Sequence, residues 1–175
     1  MSLTHTELCE RARRWLGGPG RCPITLVEFV AAWAEIPDAI GFRNGGQDSV
    51  LIECKASRSD FLRDGQKRHR QAGVSALGSY RYYLSEPDII RPEDLPERWG
   101  LLWVKPRGLR LVAGADPGRH YWPAETDVWR WPAGPGERAL MFSALQRLKL
   151  SMRGSSFRDA VHRTYSEKGV RAAAE

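Results

Sequence analysis

Three charged residues stand where charge is costly. The run Val50-Leu51-Ile52-Glu53-Cys54-Lys55-Ala56 is apolar enough to be a buried strand, yet it carries a Glu and a Lys two residues apart. Side chains alternate along a strand, so Glu53 and Lys55 share one face. Burying two such charges is unfavourable unless they are paired, hydrated or bound to a metal. Asp38 opens the preceding apolar run, with 14 residues between it and Glu53. A turn at Asn44-Gly45-Gly46 folds the two runs into an antiparallel hairpin. Asp38 and Glu53 then lie at the same end of that hairpin. Asp38 shares a face with Ile40 and Phe42, an acid at the edge of an apolar row. Two carboxylates and a lysine thus converge at one end of a sheet.

Hard oxygen donors hold Mg²⁺, commonly through one or two carboxylates while several waters remain bound. Such an ion acidifies a water and neutralises charge that develops on phosphate. A lysine beside it orients or deprotonates the water and stabilises the transition state. This is chemistry for hydrolysing phosphodiesters. The structural alternative is an i, i+2 salt bridge on one strand face.

The elements that must position these groups read as follows. Residues 3–16 form a helix with Leu8, Ala12, Trp15 and Leu16 on one face, stopped by the Gly-Gly-Pro-Gly run at 17–20. Strands follow at 24–30, 37–43 and 49–56. Ser57 and Asp60 mark the start of a helix over 58–71. Strands come next at 80–84 and 99–104, with 109–112 pairing around Pro106-Arg107-Gly108. Residues 113–136 have no clean period. A last helix over 137–152 carries an apolar stripe of Met141, Leu145, Leu148 and Met152. The order α-β-β-β-α-β, then a hairpin and a helix, predicts an α/β domain with a mixed sheet flanked by helices. Its expected span is 1–153, with a core over about 3–112; residues 154–175 are a basic tail or short helix.

The 175 residues carry 27 Lys and Arg against 21 Asp and Glu, a net charge of +6. Length and composition fit one ordinary globular domain and exclude collagen and a disulfide scaffold. Cys9, Cys22 and Cys54 are odd in number and contain no CxxC pair, which favours a reducing, cytoplasmic compartment. No apolar run approaches a membrane span, and the N-terminus shows no secretory leader. The expectation is a protein without a membrane partner. A basic surface favours a polyanion such as nucleic acid, or serves solubility alone.

With these residues in view, the chain resembles the PD-(D/E)XK nuclease superfamily. The likeness rests on Pro37-Asp38 followed by Glu53-Cys54-Lys55 in an αβββαβ order. Over about residues 24–112 it is closest to MmcB-like DNA-repair proteins and small phage-encoded relatives. Their Ser, Asp-Phe, Asp and Lys after the E-x-K are matched by Ser57, Asp60-Phe61, Asp64 and Lys67. The resemblance implies a restriction-endonuclease-like fold and Mg²⁺-dependent cleavage of DNA, with Mn²⁺ as a substitute, in a bacterial or phage-infected cell. It implies Asp38 and Glu53 as metal ligands, the Cys54 carbonyl completing the shell, and Lys55 as the catalytic lysine. The Cys54 side chain would face away into the core.

Superfamily members often add a fourth acid, for which Glu28 is the first choice, because it alternates with Ile24, Leu26 and Val30. Glu7 and Glu10 on the first helix are its rivals. The resemblance also implies a homodimer as one possible assembly.

Ser57, Arg63, Lys67, His69 and Arg70 are candidates for gripping phosphates, or else form a solvated helix face. Asp60 either caps its helix or holds Lys55. Trp15, Trp99 and Trp103 are assigned to the core; Trp122, Trp129 and Trp131 stay open as base-stacking candidates. Two further functions compete with the nuclease: an inactive DNA-binding module on the same fold, and a phage factor that binds a host protein.

Overall fold

The first helix begins at a capping box. Thr4 Oγ1 accepts from the Glu7 backbone N–H at 3.3 Å, and the Glu7 carboxylate accepts from the Thr4 N–H at 2.8 Å. Two of the donors that a helix start leaves unpaired are thereby satisfied. Helix α1 spans His5–Gly17 and buries Leu8, Cys9, Ala12, Trp15 and Leu16. The computed structural model describes residues 2–31, 35–65, 77–116, 128–132, 134–152, 157 and 160.

Six strands form one sheet in the order β1-β2-β3-β4-β5-β6. They are β1 (Ile24–Val27), β2 (Ala39–Arg43), β3 (Asp48–Cys54), β4 (Tyr80–Ser85), β5 (Trp99–Val104) and β6 (Leu109–Ala113). The β3–β4 and β4–β5 pairs are parallel; the rest are antiparallel. Helix α2 (Arg58–Asp64) follows β3, and α3 (Pro135–Ser151) follows β6. The element order begins α-β-β-β-α-β, as the sequence predicts, and the class is α/β with a mixed sheet flanked by three helices. No helix among the described residues is long and apolar enough to cross a membrane.

Sheet alternation sorts the core into two layers. Val50, Ile52, Cys54, Tyr82 and Leu84 pack with α1. Ile40, Phe42, Leu51, Tyr83 and Leu101 pack with Phe61 of α2 and Leu140 of α3. The β2–β3 turn uses positive φ at Asn44, Gly45 and Gly46 (52°, 64° and 85°), which explains the Asn-Gly-Gly signal. Within β2, a Cβ on Gly41 would lie 2.6 Å from the Cys22 sulfur and 3.2 Å from Leu16, so only glycine lets α1 and its connector close on the sheet.

Two expectations are corrected. Strand β1 stops at Val27, not residue 30, because Glu28 adopts a left-handed backbone with φ 45°. The stripe on α3 does not pack as a core face. Leu145 and Leu148 are about half exposed, and the helix instead buries Glu137 and Leu140 near its start. The Glu137 carboxylate accepts from the Gly78 N–H at 3.0 Å and from Ser49 Oγ at 2.7 Å, which pins α3 to the start of the β3–β4 pair.

Candidate active site

The β2–β3 register pairs Ala39 with Ile52, so one step further Asp38 stands opposite Glu53. Beyond the last residue of β3, the Lys55 N–H donates to the Leu84 carbonyl at 2.9 Å and extends the parallel ladder by one residue. That bond fixes where the Lys55 side chain leaves the backbone. Its Nζ lies 3.2 Å from Glu53 Oε2, 3.2 Å from Asp64 Oδ1 and 4.0 Å from Asp38 Oδ2. Glu53, Lys55 and Asp64 are buried, and the Asp38 side chain is 19% exposed. The sequence-predicted trio of Asp38, Glu53 and Lys55 is thus brought together.

Helix α2 supplies the fourth member. Ser57 caps it, accepting from the Asp60 N–H at 3.2 Å, so the Ser57 hydroxyl serves the helix start. Phe61 and Asp64 are one turn apart and turn inward together. The Tyr83 hydroxyl donates to Asp64 Oδ2 at 2.9 Å, leaving Oδ1 toward the lysine. Tyr83 is held by Phe61 edge-on at 5.0 Å and by Trp99 stacked at 4.4 Å. Asp64 matched the resemblance without a role attached to it. The signal that it belongs here is its three-residue spacing from an apolar Phe, which puts the acid on the inward face of the helix.

The electrostatics follow from this packing. Burial alone pulls the Lys55 ammonium down, but the carboxylates of Glu53, Asp64 and Asp38 outweigh it and hold the pKa above its ordinary value. Lys55 is therefore a fixed cation. Asp38 is pushed up to about 6, first by burial and then by the Glu53 charge, against the opposing pull of Lys55 and the Cys54 N–H. Three acids around one lysine leave an excess of two negative charges when all are ionised.

Asp38 Oδ2 accepts from the Cys54 N–H at 2.7 Å. The Cys54 side chain is fully buried in the α1 layer, facing away as expected. Its thiol is raised well above the ordinary range, first by hydrogen bonding with Cys9 and then by burial.

Glu28 is not the strand acid that alternation predicts. It sits past the end of β1 with a side chain 54% exposed, and its carboxylate approaches the site by way of His5, whose Nε2 lies 3.6 Å from Glu28 Oε1 and 3.6 Å from Asp38 Oδ1. Of the rivals, Glu7 is used in the α1 capping box and Glu10 pairs with Arg13 and Arg14. Arg63 is exposed on α2; Lys67, His69 and Arg70 lie outside the described residues. Arg58, on the same helix, is paired with Asp94. Trp15 and Trp99 are core residues and Trp103 is partly buried. Trp131 packs under the Arg81 guanidinium at 4.3 Å, Trp129 lies against the α1 layer, and Trp122 is outside the described residues.

No protein-family model and no curated protein matches the chain. Among solved structures, the chain is similar to the SPO1766 protein of unknown function from Silicibacter pomeroyi, at a TM-score of 0.56 and 22% identity. The match covers 85% of this chain and 92% of that one. At that identity the likeness shows the fold.

Proposed function

We propose that the chain is a divalent-metal-dependent nuclease that hydrolyses phosphodiester bonds of DNA at a PD-(D/E)XK-type site. The observation that carries this reading is a buried ammonium, Lys55, 3.2 Å from Glu53 with Asp38 across the hairpin. A structural salt bridge needs one acid per base. Here three acids crowd one lysine, and the most solvent-accessible of them, Asp38, has a raised pKa. That excess of two charges fits a divalent cation. The donor set fits Mg²⁺, or Mn²⁺ in its place: the carboxylates of Asp38 and Glu53 with the Cys54 carbonyl. When bound, the ion would polarise the scissile phosphate and acidify the attacking water.

The chain's own residues divide the remaining work. Lys55 is held protonated, so it donates a hydrogen bond and positive charge to the phosphate rather than removing a proton. Asp64 and Tyr83 keep its ammonium in place. Arg63, exposed on α2, offers a phosphate contact that positions the strand without reading its sequence. The same reading places the protein in the cytoplasm, in DNA repair or a mobile element.

The test is a panel of single-stranded, duplex and branched DNA incubated with Mg²⁺, Mn²⁺ or EDTA. Cleavage with either metal and none in EDTA is expected. Salt-sensitive binding without cleavage in either metal would replace the enzyme with a binding module.

A further inference from the structure

On the far side of Asp38 lies a second donor cluster of different chemistry. His5 and Cys9 are four residues apart on α1 and so share a face. His5 Nε2 lies 3.4 Å from Cys9 Sγ, 3.6 Å from Glu28 Oε1 and 3.6 Å from Asp38 Oδ1. The donor atoms of His5, Cys9 and Glu28 all lie within 4.8 Å of one another. We propose that these three residues bind one divalent cation of the Zn²⁺ class, with water in the fourth tetrahedral position.

The separations carry the argument. Bonds of about 2.3 Å to sulfur and about 2.0 Å to nitrogen or oxygen, at tetrahedral angles, put ligand atoms about 3.5 Å apart for N···S and about 3.3 Å for N···O. The His5–Cys9 and His5–Glu28 separations agree with those values to about 0.3 Å. A mixed imidazole, thiolate and carboxylate set selects a borderline ion over Mg²⁺ or Ca²⁺, which prefer all-oxygen shells.

The backbone holds the donors in place. The Glu28 N–H donates to the Asp38 carbonyl at 3.1 Å, tying the segment that brings the acid to the one that leads into β2. Glu28 keeps its left-handed φ of 45° although it is neither Gly nor Asn, a strained state at the residue that turns its carboxylate toward His5. The Thr4 capping box fixes the first turn of α1, and with it His5. Cys9 would bind as thiolate, its proton passing to solvent.

This site shares no ligand with the Glu53–Lys55 pair; Asp38 lies between them, its Oδ1 3.6 Å from His5 Nε2 and its Oδ2 accepting from the Cys54 N–H. It goes beyond the nuclease reading and does not require it. Its occupation would join the start of α1 to the end of β1.

The probe is Co²⁺ alone, titrated into the reduced, metal-free full chain. One equivalent should bind with a thiolate-to-cobalt charge-transfer band and the visible bands of four-coordinate cobalt, and Zn²⁺ should displace it. Cys9→Ser should abolish the charge-transfer band although Cys22 and Cys54 remain. His5→Ala and Glu28→Gln, at more exposed positions where misfolding is not at issue, should each weaken binding by about 100-fold, the upper end seen for loss of an outer-shell partner. Glu53→Gln should leave the spectrum unchanged while removing cleavage, which separates this inference from the nuclease. Absence of the band in the wild type overturns the proposal. So does a band that survives Cys9→Ser, or one that depends on Glu53.

Discussion

At the scale of single residues, the site is a balance of buried charge. Lys55 is the counterion of three acids, so removing it leaves their buried charge without its compensating cation. Lys55→Met in the metal-free protein should cost about 3–5 kcal/mol, measured by urea unfolding. Asp38 gives a pH dependence of definite sign. Its folded pKa of about 6 lies above the ordinary carboxylate value, so the folded state holds the proton more tightly than the unfolded state. The stability this confers is fully present below about pH 4 and is lost as pH rises through about 6, amounting to a change on the order of 3 kcal/mol. Asp38→Asn should flatten that segment of the metal-free stability profile. A profile that rises between pH 4 and 6, with Asp38→Asn unable to change it, would contradict the assignment. Tyr83→Phe removes the hydroxyl that holds Asp64 Oδ2 and should cost about 1–2 kcal/mol.

At the scale of elements, the strands that carry the charges were legible because their patterns are local. The apolar run from Val50, the Asn-Gly-Gly turn and the acid spacing are enough to put Asp38 opposite Glu53. Strand β5 is legible at its observed bounds, Trp99–Val104, for the same reason. What stayed hidden depends on contacts distant in sequence. Glu28 continues an alternating pattern, and only its bond to the Asp38 carbonyl and its left-handed backbone reveal that the strand has ended. The stripe on α3 has helical spacing, but periodicity does not say which turns the sheet covers; Glu137 and Leu140 anchor the helix instead. Asp64 enters the site because α2 packs Phe61 onto Tyr83, a tertiary fact. Two substitutions test the element account by thermal or urea unfolding. Thr4→Ala should cost about 1 kcal/mol by removing the α1 cap. Gly41→Ala should cost about 1–3 kcal/mol, because its methyl would meet the Cys22 sulfur.

At the scale of the molecule, a mixed six-stranded sheet brings the ends of β2 and β3 and the start of α2 to one place. The net charge of +6 coexists with a locally acidic site; on the proposed reading the basic surplus draws a polyanion and the acidic cluster takes the metal. The central claim is that Lys55 supplies charge to a phosphate under attack. The most direct measurement is the Mg²⁺-dependent rate of DNA cleavage by wild type and Lys55→Gln at saturating metal, with circular dichroism confirming that both are folded. The account predicts a fall of about 100-fold or more in the folded variant, the scale on which loss of one transition-state donor acts. A folded Lys55→Gln protein that cleaves at the wild-type rate would contradict it.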